Sequence, residues 1–414
     1  MIVSDATWEF VRKYADSDVR KLALQAKRDT EADLPIALQL IAGRQTARKK
    51  LPAWAAVEDI VYPPHLNMEQ CSSEQTARYK AAVVGRLFSG TTEKGTFIDL
   101  TGGFGVDFYW MSQRFGRRVY VEQSQELCAI ARHNFAQLGL ECSICCTDSA
   151  TYLAEMQHAS LVYIDPARRN EHGSRTYGIA DCTPNVLQLM PVLKDKADFI
   201  VLKLSPMLDW RKAVDDLSPT VSVSEVHIVS ADNECKELLL VLGKKQCDDG
   251  LRLCCVNNDT VFKIDSAELK DDLLRVNGLS TSVKRAFPSD QNTSPLFLYE
   301  PNASIMKAGC FAVLEQRYPV WQVAPNSHLF LSSEEIDIFP GRRFRIEAIS
   351  SMNKRELSAH LRIVKQGNIS VRNFPQSAEE LRKKLKLKDG GDTYIFATTT
   401  EDGQHKLFIC RKIG

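Results

Sequence analysis

Nowhere does this chain carry an uncharged apolar run near the roughly eighteen residues that a membrane-spanning helix needs. Its opening segment, MIVSDATWEFVRKYADSDVR, scatters charges where a secretion signal would hold an apolar core. Membrane spanning and export are therefore not expected, and a cytoplasmic location is. A second C-x-x-C pair is also missing. The 12 cysteines spread from Cys71 to Cys410 and only Cys142, Cys145 and Cys146 cluster, so reduced buried thiols are expected rather than disulfides, and no metal site. Internal repeats and low-complexity tracts are absent as well. Net charge is nearly absent at +1, but it is unevenly placed. Residues 341–414 hold 16 Lys and Arg against 8 Asp and Glu, a local +8 that leaves −7 on residues 1–340. A basic C-terminal module on a mildly acidic body is the pattern of an enzyme with an attached anion-binding domain.

What is present divides the chain. At 414 residues it exceeds one ordinary hydrophobic core, which predicts two or three domains. From Thr7 to about Lys50 apolar residues recur at helical spacing (Trp8, Val11, Val19, Leu22, Ala26), and Pro35 starts a further segment over Ile36–Ile41. The basic run Ala47-Arg48-Lys49-Lys50 reads as a solvated helix end or a phosphate contact, and Tyr62-Pro63-Pro64 breaks regular structure. Residues 1–70 thus form a helical domain. Over 71–250 the pattern becomes short apolar runs separated by helical stretches, as a parallel sheet with crossover helices requires. The runs are Phe97–Leu100, Val119–Glu122, Ser143–Cys146, Leu161–Ile164, Phe199–Leu204, Glu225–Val229 and Leu238–Leu242, with helices such as Ser124–Leu138 and Asn185–Leu193 between the earlier ones. The last two are too close for a helix and read as an antiparallel hairpin around Asn233. Residues 251–340, with Val261–Ile264, Leu296–Tyr299 and Phe311–Gln322, suggest a small α+β domain. Residues 341–414 suggest another, from the apolar stretches Phe344–Ile349 and Leu361–Val364, a basic helix over Ala378–Lys388 and two strands at Tyr394–Thr398 and Lys406–Cys410.

The most informative stretch is Phe97-Ile-Asp99-Leu-Thr101-Gly-Gly103-Phe-Gly105-Val-Asp107, a strand running into a glycine turn and a helix. Glycines serve where the backbone turns sharply and meets a ligand, and the helix start offers free N–H groups. The D-x-x-x-G-x-G form departs from the G-x-G-x-x-G of dinucleotide-binding dehydrogenases, whose sheet would also continue in parallel. The next strand ends in Glu122, 19 residues after Gly103, where a carboxylate can accept both ribose hydroxyls of an adenosine. Strand three is followed by Asp148, positioned for an adenine amine. Strand four ends in Tyr163-Ile-Asp165-Pro166-Ala167-Arg168-Arg169, beside the reactive end of a ligand held across such a sheet. Arg168 or Arg169 can stack on a base or grip a phosphate. Strand five carries Lys203, which either snorkels to solvent or faces the site. No cysteine stands at that strand's end to act as a nucleophile. Cys182 reads as structural, with Thr183 capping a helix from Pro184. Ser72 or Ser73 caps a helix entry just before strand one.

The stretches Ser72-Ser-Glu-Gln-Thr-Ala-Arg-Tyr-Lys-Ala81, Asp99–Asp107, Tyr163–Arg169, Lys203-Leu-Ser-Pro-Met-Leu-Asp209 and Leu298-Tyr-Glu-Pro-Asn-Ala-Ser-Ile-Met-Lys-Ala308 together resemble bacterial class I methyltransferases with a C-terminal THUMP-like domain. The resemblance implies an α/β fold: a Rossmann-like seven-stranded methyltransferase sheet over 71–250, a ferredoxin-like insert within 251–340 and a THUMP-like domain at 341–414. It implies S-adenosylmethionine (SAM) as cofactor, bound by Asp99, Thr101, Gly103, Gly105, Asp107, Glu122 and Asp148. Catalysis would gather on Asp165, Pro166, Arg168 and Lys203. RNA is the implied partner, transfer or ribosomal, because THUMP domains bind RNA. Asp165-Pro166-Ala167-Arg168 resembles the Asp/Asn-Pro-Pro-aromatic motif of amino-directed nucleic-acid methyltransferases but lacks its base-stacking aromatic, so N6-adenine or N4-cytosine is one acceptor among several. Two other readings remain: a protein or small-molecule acceptor, and a catalytically degenerate RNA-binding module, against which four intact strand-tip carboxylates argue. Arg382, Lys383, Lys384, Lys386 and Lys388 on one helix, with Arg342, Arg343 and Arg345 before it, form the expected phosphate track.

Overall fold

The computed structural model describes residues 3–25, 31–90, 95–168, 178–243, 250–276 and 296–413, the side chains of 25, 168 and 273–276 excepted. They divide into two compact units, Met1–Ala231 with Lys236–Asp248, and Asp232–Cys235 with Asp249–Gly414.

The first unit is built on strands β1 (Thr96–Asp99), β2 (Arg117–Glu122), β3 (Ser143–Cys146), β4 (Ala159–Ile164), β5 (Ala197–Leu204), β6 (Val223–Ala231) and β7 (Glu234–Gly243). Their spatial order is β3-β2-β1-β4-β5-β7-β6. The first five are parallel, and β7 runs antiparallel to β5, Phe199 facing Gly243 and Leu204 facing Leu238. All seven expected apolar runs are strands. The last two are joined through Asp232 and Asn233, both left-handed (φ 51° and 61°), the conformation a two-residue hairpin turn demands. This is the class I methyltransferase sheet. Strand order reverses at the boundary of β1 and β4, with β2 and β3 laid to one side and β5 to the other, so the carboxyl ends of the central strands open into one crevice.

The N-terminal helices are not a body apart. Helix α1 (Asp5–Lys13), α2 (Val19–Gln25) and α3 (Leu34–Lys50) place Trp8, Val11, Leu40 and Ile41 in one continuous core with Phe104, Phe108 and Phe135 of the sheet layer. Helix α3 is far longer than Ile36–Ile41 suggested, because Gln45 and Ala47 face inward although they break the apolar pattern. Gln45 ties down the Ala15 and Ser17 carbonyls at 3.1 and 2.8 Å. The basic end of α3 is spent locally: Arg48 pairs with Asp16, and Lys50 donates to the Met68 and Glu69 carbonyls at 2.7 Å each. Val61 is pinned by Asn134, whose amide exchanges two 2.8 Å hydrogen bonds with its backbone. Trp54 packs edge-on against Phe104 (centroids 5.0 Å apart), so the N-terminal segment buttresses the glycine turn itself. Burying Phe104 contributes roughly 1.5–3 kcal/mol. Ala26 of the expected helix pattern lies outside the described residues. The helix after Pro184 begins at Val186, capped by Asn185 rather than Thr183, because the Gln188 amide donates to the Asn185 side-chain oxygen.

The second unit holds a hairpin, β8 (Arg252–Asn257) with β9 (Thr260–Ile264), and a second sheet. That sheet runs β11-β12-β10-β13-β16-β15-β14, where β10 is Phe297–Pro301, β11 Trp321–Gln322, β12 Phe330–Ser332, β13 Gly341–Ser350, β14 Asn368–Arg372, β15 Thr393–Thr399 and β16 His405–Ile413. The apolar stretch Leu361–Val364 is the end of helix α4 (Lys354–Leu361) and a turn, because Leu357, Leu361 and Val364 repeat at helical spacing over the sheet. The strand there is β14. β10 pairs with β13 over five residues, from Phe297 opposite Arg345 to Pro301 opposite Gly341, so one sheet runs through position 340.

Candidate functional site

The tips of β1, β2, β4 and β5 carry the expected residues, and a hydrogen-bonded network joins them. The Asp99 carboxylate accepts from the Thr101 amide at 2.9 Å. The Thr101 hydroxyl then accepts from the Asp165 amide at 2.6 Å, tying the ends of β1 and β4 together. Burial pushes the Asp99 carboxyl well above its usual range, and the neighbouring carboxylates Asp107, Asp165 and Glu122 push the same way.

The glycine turn divides its labour. A Cβ on Gly102 would lie 2.2 Å from the buried Tyr120 ring, and one on Gly105 (φ 86°) would lie 2.6 Å from Phe135, so both are glycine for packing. Gly103 (φ 56°) meets nothing closer than 3.7 Å; it is the open face of the turn. Tyr120 locks the turn from below by donating its hydroxyl to the Gly103 carbonyl at 2.5 Å. Glu122 reaches across from β2: one carboxylate oxygen accepts from the Gly103 amide at 2.9 Å and the other from the Ser124 amide at 2.8 Å. Each oxygen keeps a lone pair for a further donor. Asp148, at the end of β3, is exposed and caps the next helix, accepting from the Thr151 amide and hydroxyl at 2.9 and 2.5 Å, which lowers its pKa.

Beneath the turn lies a buried charge array that composition and periodicity did not disclose. Lys80, fully buried, donates to both Glu237 oxygens (2.7 and 2.6 Å) and to Ser72 (3.1 Å), and stands 3.2 Å from Asp107. The other Asp107 oxygen accepts from Ser72 at 2.8 Å and Tyr163 at 2.7 Å. Its Oδ1, buried beside Lys80, lacks a well-aligned hydrogen bond among the described residues. Burial would raise the Asp107 carboxyl, but Lys80 and Lys203 outweigh it and hold it low; for Glu237 burial prevails and the carboxyl is raised. Two sequence signals could have led here. Lys80 shares a helical stripe with Thr76, Ala77, Val83 and Val84, all buried, and Glu237 opens an unbroken apolar strand.

Lys203 does not snorkel. Its ammonium sits 2.5 Å from Asp165 Oδ2, largely buried. Desolvation favours the neutral amine, but Asp165, Asp107 and Glu237 prevail and raise its pKa, so Lys203 is cationic at neutral pH. Asp165 is half-buried and Pro166 buried beneath it. Ala167–Arg168 form a short ladder with Cys182–Thr183, and Cys182 is a buried thiol. The Arg168 side chain, and Arg169 altogether, lie outside the described residues. No group of three or more His, Cys, Asp or Glu able to hold a metal occurs among the described residues, and no helix there is long and apolar enough to cross a membrane.

Three comparisons bear on this site. Residues 341–412 match a family model described as THUMP domain-like, and residues 297–340 one described as a ferredoxin-like domain. An uncharacterised S-adenosylmethionine-dependent methyltransferase of Mycobacterium tuberculosis, known from two strains, is 23% identical over 355 residues, covering 83% of this chain and 87% of that protein. A solved structure from Porphyromonas gingivalis W83, which carries a provisional methyltransferase name, superposes over 100% of both chains with a TM-score of 0.81 at 29% identity.

Proposed function

The chain is a class I SAM-dependent methyltransferase with a C-terminal THUMP-like domain, and from that premise we propose that its acceptor is a base in RNA, transfer or ribosomal. The observation that carries the proposal is the THUMP-like match over residues 341–412, a stretch within the module that holds 16 basic against 8 acidic residues.

The residues present suit the cofactor. Gly103 offers open space over a turn whose other glycines are packed shut, Glu122 keeps two lone pairs for ribose hydroxyls, and Asp107, paired with Lys80, supports the turn from beneath. Asp99 and Thr101 hold the turn, Gly105 shapes it, and Asp148 would meet the adenine amine with the lone pairs its cap leaves free. Bound there, SAM supplies an electrophilic methyl group. The chain's own task is alignment. Asp165 orients the acceptor, one oxygen held by Lys203 and the other able to accept an N–H, and Pro166 stiffens the turn; the catalytic role expected of Arg168 falls on a side chain outside the described residues. Anchored by the Lys203 ammonium, the Asp165 carboxylate suits alignment of a hydrogen-bonded amine acceptor. Cytoplasmic residence belongs to the same proposal, supported by the 11 free cysteines among the described residues.

Calorimetry should detect SAM binding that Glu122→Ala weakens at least tenfold. Incubation with tritiated SAM and total RNA from cells lacking the protein, followed by nucleoside mass spectrometry, should identify one methylated base. Label that enters protein or small molecules instead of RNA refutes the RNA acceptor, and Glu122→Ala binding unchanged refutes the ribose contact.

A further inference from the structure

The 16 cations of the C-terminal module are not equivalent. Six of its eight arginines are ion-paired: Arg342 and Arg372 on the buried Glu300, Arg343 near Asp337, Arg345 on Glu335, Arg382 on Asp389 and Arg411 on Glu347. None of its eight lysines is ion-paired among the described residues. The expected track through Arg342, Arg343 and Arg345 is thus largely neutralised by the protein itself. Guanidinium forks suit such internal pairs, whereas ammonium groups on flexible stems remain hydrated point charges.

The lysines are gathered by the backbone. Helix α5 (Ala378–Leu385) ends at Lys386, whose left-handed conformation (φ 57°) is one that glycine favours there. Beyond it the chain lies beside the segment after α4: the Lys388 amide donates to the Lys365 carbonyl at 3.0 Å, and the Gly367 amide to the Lys388 carbonyl at 2.9 Å. Leu387 and Gly367 turn inward, while Lys386, Lys388 and Lys365 point to solvent. Lys383 and Lys384 on α5 and Arg362 on the adjoining turn are also exposed and unpaired among the described residues, and Ile363 between the two segments is 88% exposed. An apolar side chain kept in water among unpaired cations suits a ligand that offers both phosphates and sugar or base faces.

We propose that this stitched face, Arg362–Lys365 with Lys383–Lys388, is the RNA-binding surface of the module, and that the arginine strand is structural. The inference rests on the RNA reading above and names where that partner docks. Two variants of equal charge change separate it from attraction by net charge. Lys365→Glu with Lys388→Glu alters the stitched face, and both residues make the stitch through backbone atoms alone, so the fold is preserved. Lys406→Glu with Lys412→Glu places the same change on β16.

Fluorescence anisotropy with unfractionated transfer RNA over a salt series should give the first variant an affinity lower on the order of tenfold at moderate salt. Its log–log salt slope should be shallower by about 0.7–0.9 per lost phosphate contact. The second variant should stay within about twofold of the parent, and thermal melts should match for all three. Equal losses in both variants overturn the stitched face while leaving RNA binding intact. Absence of RNA binding by the unaltered protein at low salt overturns the RNA reading itself. Binding of polyglutamate as tight as that of RNA overturns the choice of partner.

Discussion

Replacing Lys80 by methionine tests whether the buried array holds the site together. The substitution keeps the aliphatic stem and its packing but removes the one cation that touches Glu237, Asp107 and Ser72 at 2.6–3.2 Å in a position with 0% exposure. Asp107 would keep its bonds from Ser72 and Tyr163, whereas Glu237 would lose its principal partner. Removing one member of a buried ion pair costs about 3–5 kcal/mol, because the charge left behind is neither solvated nor paired. At about 2–4 °C per kcal/mol for a domain this size, the melting temperature should fall by roughly 6–20 °C. Lys80→Met with Glu237→Gln removes the stranded carboxylate and should recover at least half of that loss, since a neutral amide is far cheaper to bury. Circular dichroism melts of the parent, the single and the double variant measure both quantities. A single variant that melts within about 2 °C of the parent, or a double variant no better than the single, would refute the view that this array is a mutually compensating unit.

Two further perturbations address other parts of the site. Asp148→Ser preserves a helix cap, because serine accepts from the same amide about as well as aspartate, so its melting temperature should match the parent. If Asp148 also meets adenine, SAM affinity should fall several-fold, and unchanged calorimetric affinity confines Asp148 to capping. Glu225, on β6, is raised by burial, but hydrogen bonds from His227 and Arg86 outweigh this and take it down to about 2. A lowered carboxyl adds stability that is present above its ordinary pKa of 4.5 and is lost as pH falls from there toward 2. Urea midpoints at about pH 5 and about pH 3 should therefore differ less in Glu225→Gln than in the parent; an equal difference in both disproves the assignment.

Much of the catalytic unit was readable from local pattern because its chemistry sits where strands end. Asp99, Glu122 and Asp165 each close a β-branched or aromatic run, and a strand's end at the switch of a doubly wound sheet is a functional address by geometry. What local pattern missed was made by contacts far apart in sequence. Lys80 and Glu237 are 157 residues apart, and no spacing rule links a helix lysine to a strand seven glutamate. Asn134 and Val61 are 73 apart, which is why the N-terminal helices read as a separate domain although they share the core of the sheet. In the basic module composition was misleading in another way: counting arginines and lysines as one charge hid that the arginines are consumed internally. Lys386 and Lys388 were assigned to a helix that stops before them, since basic residues favour helix and only the left-handed turn ends it.

The continuity of the second sheet through position 340 constrains how the chain can be cut. Two family descriptions meet there, 297–340 and 341–412, and invite dissection at that point. A fragment starting at Gly341 would bare the whole flank of β13 that Phe297–Pro301 now covers, a long unpaired ladder of the kind that recruits other chains. The same cut would strand Arg342 and Arg372 without Glu300. The basic module is therefore portable only with the segment before it, and a transplant from one enzyme to another should begin no later than Phe297.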